Sequence, residues 1–111
     1  MDIKEALSAF GALSQETRLK AFKLLVEYGK SGCAACTLSE KLGVPQNTLS
    51  FHLSHLSNAG LVKSKREGRS IIYTANFQAV EGLMSYMAEN CCASDTVDCL
   101  TSKRIKKNKL C

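Results

Sequence analysis

Six cysteines are the most reactive groups in this chain of 111 residues, and they are unevenly grouped: Cys33 and Cys36, then Cys91, Cys92 and Cys99, then Cys111 alone. In a short secreted protein six cysteines would read as three disulfides. Two observations oppose that reading. The start, Met1-Asp2-Ile3-Lys4-Glu5, lacks the basic-then-apolar layout of a secretory signal. The 45% hydrophobic content is also enough for a core without covalent staples. The expectation is a cytoplasmic protein whose reduced thiols are metal ligands or redox centres. Cys33-Ala34-Ala35-Cys36 by itself says little, because it lacks the strand-helix-strand setting of a thioredoxin-type centre and small buried cysteines are common. A thiol enzyme would need an activated nucleophile beside a base or an anion cradle. Here there is no Gly-rich phosphate loop, and His52 and His55 are far in sequence from every cysteine cluster, so the chain is not expected to be an enzyme.

The second chemical feature is charge. Fifteen Lys and Arg against ten Asp and Glu give a net charge of +5, which suggests a polyanionic partner. Its distribution is uneven. Lys103, Arg104, Lys106, Lys107 and Lys109 crowd the end with no acid among them, whereas residues 1–102 carry equal numbers of basic and acidic side chains. Within that neutral body, Lys63 to Arg69 carries Lys63, Lys65, Arg66 and Arg69 against Glu67 alone. A nucleic-acid surface should include this segment. No apolar run approaches the roughly 20 residues of a membrane span, so no membrane partner is expected.

The length allows one domain. Asp2 as N-cap, with Ile3, Leu7 and Phe10 at helical spacing, predicts a first helix over about 2–12. Ser14 is placed to cap a second helix carrying Leu19, Phe22, Leu25 and Val26 on one face and stopping at Gly29. Thr37-Leu38-Ser39-Glu40 reads as the capping box of a short third helix ended by Gly43. Pro45 then stands at the first position of a fourth helix that ends at Gly60. From Leu61 the pattern changes to strand. Leu61-Val62-Lys63 and Ile71-Ile72-Tyr73-Thr74 are strand candidates about a Glu67-Gly68 turn. Asn76 should cap a last helix with Val80, Leu83, Met84 and Met87 on one stripe, ending near the cysteine pair, with a loop and a mobile basic tail beyond.

A short helix, a tight turn, a second helix and a basic hairpin form the order of a mainly α winged helix-turn-helix with a two-stranded β-hairpin wing. The residues go further. Thr37 to Val62, with its Ser-x-His-Leu-x-x-Leu-x-x-Ala-Gly-Leu-Val run, and Arg66-Glu-Gly-Arg-Ser-Ile-Ile-Tyr73 resemble the ArsR/SmtB family of bacterial metal-responsive repressors. The resemblance implies a homodimer, built through the first and last helices, that binds double-stranded operator DNA and releases it when an effector binds.

The fourth helix supports this on its own. On a helical wheel Leu49, Leu53 and Leu56 point one way, and Asn47, Phe51, Ser54, His55 and Asn58 the other. That outer face is polar but almost uncharged, whereas a solvated face would carry Lys and Glu. Asn, Gln and Ser hydrogen-bond base edges, and Phe can touch a thymine methyl. The reading residues are expected to be Gln46, Asn47, Ser50, Phe51 and Ser54, since such proteins read bases with the start of the second helix. His52 leans to the apolar side and reads as a packing residue. Lys65, Arg66 and Arg69 of the wing are expected on phosphates or in the minor groove.

Founding members of the resembled family carry Cys-x-Cys at the start of the first helix of the helix-turn-helix. Only Cys36 matches there, with Ala34 in the other place. Glu89-Asn90-Cys91-Cys92 with Asp98-Cys99 instead resembles an arsenite-responsive subgroup, in which a cysteine pair after the last helix and a third cysteine downstream hold the ion. That resemblance implies a site of Cys91, Cys92 and Cys99 for As(III) or Sb(III). The chemistry agrees, because these ions are soft and trigonal pyramidal and three sulfurs complete the shell. Two alternatives stay open: a Zn(II) or Cd(II) site completed by Asp95, Asp98 or Cys111, and a thiol-redox or persulfide sensor. The expected organisation is a dimerising DNA-binding domain over residues 1–92 and a ligand-binding loop with a basic tail over 93–111.

Overall fold

A computed structural model describes residues 1–94; Cys99, Cys111 and the basic tail lie outside the described residues. Helix α1 spans Ile3–Leu13 and opens on a reciprocal capping box: the Glu5 backbone N–H donates to Asp2 Oδ1 at 2.8 Å and the Asp2 N–H to Glu5 Oε1 at 2.9 Å. Its inner face is made of Ala6, Ala9 and Ala12, all buried. Three small side chains at helical spacing let the helix axis approach its neighbours closely and leave Ile3, Leu7 and Phe10 exposed on the outside.

Helix α2 spans Glu16–Tyr28, and its cap corrects the sequence expectation. Ser14 has near-helical dihedrals and its hydroxyl donates back to the Gly11 carbonyl, so it closes α1. Gln15, in an extended conformation, caps α2 by accepting from the Arg18 N–H at 2.9 Å. An N-cap must be extended, and only Gln15 is. Phe22 and Leu25 are buried as expected, joined by Ala21, but Leu19 and Val26 are exposed.

After a 3₁₀ turn at Gly29–Ser31 the chain makes a two-residue strand, β1 (Cys33–Ala34), absent from the sequence expectation. Gly32 delivers it at a φ of +73°, where an added Cβ would stand 2.5 Å from the Tyr73 carbonyl oxygen. Only glycine fits that approach. Helix α3 (Ala35–Leu42) therefore starts two residues before Thr37, with Ala34 as N-cap and no side-chain cap. The expected Thr37 capping box does not form, because pairing of β1 fixes where the helix begins. Gly43, left-handed, ends α3 as expected. Pro45 is the N-cap of α4 (Gln46–Asn58), one place before the first helical residue.

Strands β2 (Val62–Glu67) and β3 (Ser70–Ala75) pair antiparallel from Val62↔Ala75 to Glu67↔Ser70. The two-residue turn is Gly68-Arg69, not Glu67-Gly68, and Gly68 supplies the positive φ at its first position. β1 pairs with the other side of β3 through Cys33↔Tyr73 and Ala34↔Ile72, so the wing is a three-stranded sheet of order β1-β3-β2. Helix α5 (Phe77–Ala88) closes the described fold. Asn76 holds its N-cap position, but its side-chain amide donates to the Gly60 carbonyl at 2.8 Å, joining the start of α5 to the turn that follows α4. The core joins Leu25, Leu38, Leu49, Leu53, Leu56 and Leu61, all essentially inaccessible, to Phe22, Cys33 and Val62. Among the described residues, five α-helices around a small antiparallel sheet make a winged helix-turn-helix. Among the described residues no helix is long and apolar enough to cross a membrane.

Candidate nucleic-acid interface and cysteine cluster

Helix α4 is pinned by Leu49, Leu53 and Leu56 against the core, and this determines what its other side offers. Gln46, Asn47, Ser50, Phe51, Ser54 and His55 are exposed, as the wheel predicts, and Thr48 joins them. Phe51 is 61% exposed, high for a ring of its size. It is held by edge contacts with His55, at 4.7 Å between centroids, and His52, at 5.8 Å. Asn47 Oδ1 accepts from the Thr48 N–H in the first turn, which leaves its amide donors facing outward.

The wing lies beside this face. Arg69, at the tip of the hairpin, lines a cleft of about 200 Å³ with Gln46 and Ser50 of α4, Cys36 of α3 and Tyr73 of β3. Two of the expected base-reading groups, Gln46 and Ser50, and one expected phosphate-meeting group, Arg69, thus share one cleft. Lys65 and Arg66 are exposed further along β2, and Lys65 pairs with Glu67 at 3.5 Å. An ion pair between side chains 76% and 58% exposed is weak and easily exchanged for a phosphate.

Two placements beside this face could not be read from the sequence. Cys36 is an exposed thiol in this same cleft, whereas Cys33, in β1, is buried in the core. Arg18, far away in sequence, reaches the middle of α4: its Nε donates to the Ala12 carbonyl at 2.6 Å and its Nη1 lies 3.4 Å from His52 Nδ1. His52 is half-buried, matching its expected packing role. Burial first, then the Arg18 charge and the neighbouring His55, push its pKa below the ordinary imidazole value. No residue near Arg18 in sequence signals the contact with His52, which spans 34 positions.

The cysteine pair follows α5 in a chain of turns. Neighbouring side chains in a regular helix diverge by about 100° and could not meet. Here Asn90 and Cys92 adopt positive φ values of 61° and 59°, the Cys91 N–H donates to the Ala88 carbonyl, and Cys91 Sγ comes within 3.5 Å of Cys92 Sγ. Left-handed backbone at two residues without glycine costs of order 1 kcal/mol or more each. Asn90, just past the C-cap of α5, takes the left-handed conformation that commonly ends a helix. Cys91 is a half-buried thiol, and Cys92 is disulfide-bonded. The third expected ligand, Cys99, lies outside the described residues.

Residues 15–64, from the start of α2 into β2, match the family model for bacterial regulatory proteins of the arsR family. An arsenical resistance operon repressor of Bacillus subtilis is 36% identical over 83 residues, covering 75% of each chain. A probable mercury resistance operon repressor of Streptomyces lividans is 34% identical over 83% of this chain and 72% of its own. Among solved structures, an ArsR-like transcriptional regulator of a Rhodococcus species superposes with a TM-score of 0.68 at 32% identity, covering 82% of each chain. The helix-turn-helix, the basic wing beside it and these relatives lead to one conclusion: the chain belongs to the ArsR family and is a transcriptional regulator.

Proposed function

We propose that this protein is a homodimeric repressor that binds double-stranded operator DNA through α4 and the wing and leaves it when As(III) or Sb(III) is held by Cys91, Cys92 and Cys99. The observation that carries the DNA reading is the exposed, uncharged polar face of α4 merging with the basic wing at the Arg69 cleft. Gln46, Asn47, Ser50, Phe51 and Ser54 read base edges. Lys65, Arg66 and Arg69 meet phosphates. Ile3, Leu7 and Phe10 on α1, with Met84 and Met87 on α5, form an exposed apolar surface that a second copy covers by two-fold symmetry, matching a palindromic site.

The convergence of Cys91 and Cys92 after the dimer-forming α5 supports the effector reading, as does the name of the Bacillus relative. Three thiolates suit the pyramidal ion, and holding it at the end of α5 favours a dimer geometry that fits DNA less well. The site acts in its reduced form, since a disulfide sulfur is no thiolate. The disulfide at Cys92 favours a second reading, a thiol-redox regulator of the same fold in which oxidation itself triggers release.

One titration separates these readings. A fluorescent duplex selected by the protein from a random pool is followed by anisotropy, with a phosphine reductant because dithiols chelate arsenic. Arsenite should weaken binding roughly 5- to 150-fold, the usual range of allosteric coupling. The Cys91→Ser/Cys92→Ser/Cys99→Ser variant should bind DNA normally and ignore arsenite. Release of that variant at the parent's arsenite concentration would refute the metalloid site. Release of the parent by oxidant but not by arsenite would establish the redox reading in its place.

A further inference from the structure

One guanidinium joins three helices. The α1 C-terminus leaves its last carbonyls without helical partners, and Arg18 Nε, from the first turn of α2, takes the Ala12 carbonyl at 2.6 Å. The other side of the same fork reaches His52 Nδ1 at 3.4 Å, in the middle of α4. Among the described residues this is the only polar side-chain contact between α4 and another helix; the rest of its seating is apolar. Leucine packing holds a helix against a core but resists small rotations and slides weakly. A directional contact near the helix centre defines its azimuth, and therefore where Asn47 and Phe51 point.

We propose that Arg18 is a positioning residue for DNA reading: it straps the end of α1 to His52, and protonation of His52 undoes the strap, so that sequence-specific DNA binding weakens in mild acid. The inference rests on the reading of α4 as the DNA-reading helix. Arg is donor-only, so the contact requires an unprotonated Nδ1 and the hydrogen on Nε2. A proton on Nδ1 removes the acceptor and sets two cations 3.4 Å apart. Among the described residues the charged groups bearing on His52 are Arg18 from α2 and His55 from its own helix, with no carboxylate to offset them; α1 presents only the Ala12 carbonyl, through Arg18. Burial acts in the same direction. The neutral form is the one the fold favours, so the strap is intact above the ordinary imidazole value and is lost as pH falls through the lowered one. Changes in net charge alter binding to all DNA alike, so the measured quantity is the preference for a selected duplex over a random one.

The experiment uses the full chain. Imidazole C–H signals are titrated by NMR, and affinities for a duplex selected from a random pool and for a random duplex of equal length are measured between about pH 7.5 and 5.5, spanning the ordinary His value of about 6.5. In the parent, His52 should titrate below that value and move upward in Arg18→Gln. The parent's preference should fall roughly five-fold across the range, the worth of one modest hydrogen bond. His52→Asn, whose amide oxygen stands where Nδ1 stood and cannot titrate, should keep the preference and hold it flat with pH. His52→Asn retaining the parent's pH slope, or a His52 titration unmoved by Arg18→Gln, overturns the proposal alone. A parent with no preference for any duplex overturns the α4 reading and the proposal with it.

Discussion

Replacing Phe51 by alanine should separate reading from folding more cleanly than any other single change. The ring is 61% exposed, so about two-fifths of its surface is buried in the monomer. Full burial of a phenylalanine contributes roughly 1.5–3 kcal/mol, so this fraction amounts to about 0.6–1.2 kcal/mol. Part of that contact is with His52 and His55, which stay in place and can relax into the space. In a domain of this size the melting midpoint should therefore drop by no more than about 8 °C. On DNA the expected loss is larger. A specific base contact is worth about 1–3 kcal/mol, or roughly 5- to 150-fold, and it should appear only on a duplex the protein prefers. Thermal unfolding and paired anisotropy titrations on preferred and random duplexes measure both quantities. Equal losses on the two duplexes would mean that Phe51 is ordinary surface and that the α4 face is not read as argued.

Arg69→Ala should weaken binding to preferred and random DNA by similar factors and lower the salt slope by about one, since it removes one phosphate contact; a loss confined to the preferred duplex would place Arg69 on a base instead. Gly32→Ala should destabilise the fold by several kcal/mol, on the scale of strained or overpacked sites, because its Cβ meets a backbone oxygen at 2.5 Å and its φ is +73°. Chemical denaturation of this variant matching the parent within about 1 kcal/mol would show that β1 is not docked against β3 as described.

How far the fold was legible in the residues depends on the range of the interactions. Helices α4 and α5 could be read almost to their ends, because Leu49, Leu53 and Leu56 repeat at the helical period and Gly60 and Asn76 punctuate locally. The start of α3 could not. Its capping pattern at Thr37 is locally sound, but Cys33 and Ala34 pair with residues about 40 positions downstream, and that pairing begins the helix earlier. The choice of face on α1 was hidden for another reason: alanines at 6, 9 and 12 carry no strong hydrophobic signal, yet they are the ones buried. At the interface the exposed residues of α4 and the wing were legible from composition. Arg18 was not, since one of three basic residues in an amphipathic helix reads as solvated, and only the packing of three helices turns it inward. The left-handed turns that bring Cys91 and Cys92 together were likewise invisible, there being no glycine at either position.

The sheet order has a consequence for solubility. β3 is central and β1 covers one of its sides, so β2 is the outer strand and presents a row of unpaired backbone groups to water. Such edges invite pairing with strands of other molecules, and inserted lysines and other charges are the common protection against it. On β2 these are Lys63, Lys65 and Arg66, part of the patch assigned to phosphates. If the β2 charges meet phosphates as proposed, one set serves two ends, attraction to a polyanion and repulsion between copies. A DNA-blind variant made by neutralising β2 would bare an aggregation-prone edge, and its loss of binding could be mistaken for loss of soluble protein. The tip of the wing at Arg69 and the outer face of α4 lie off that edge, and changes there can silence DNA binding while the strand stays guarded.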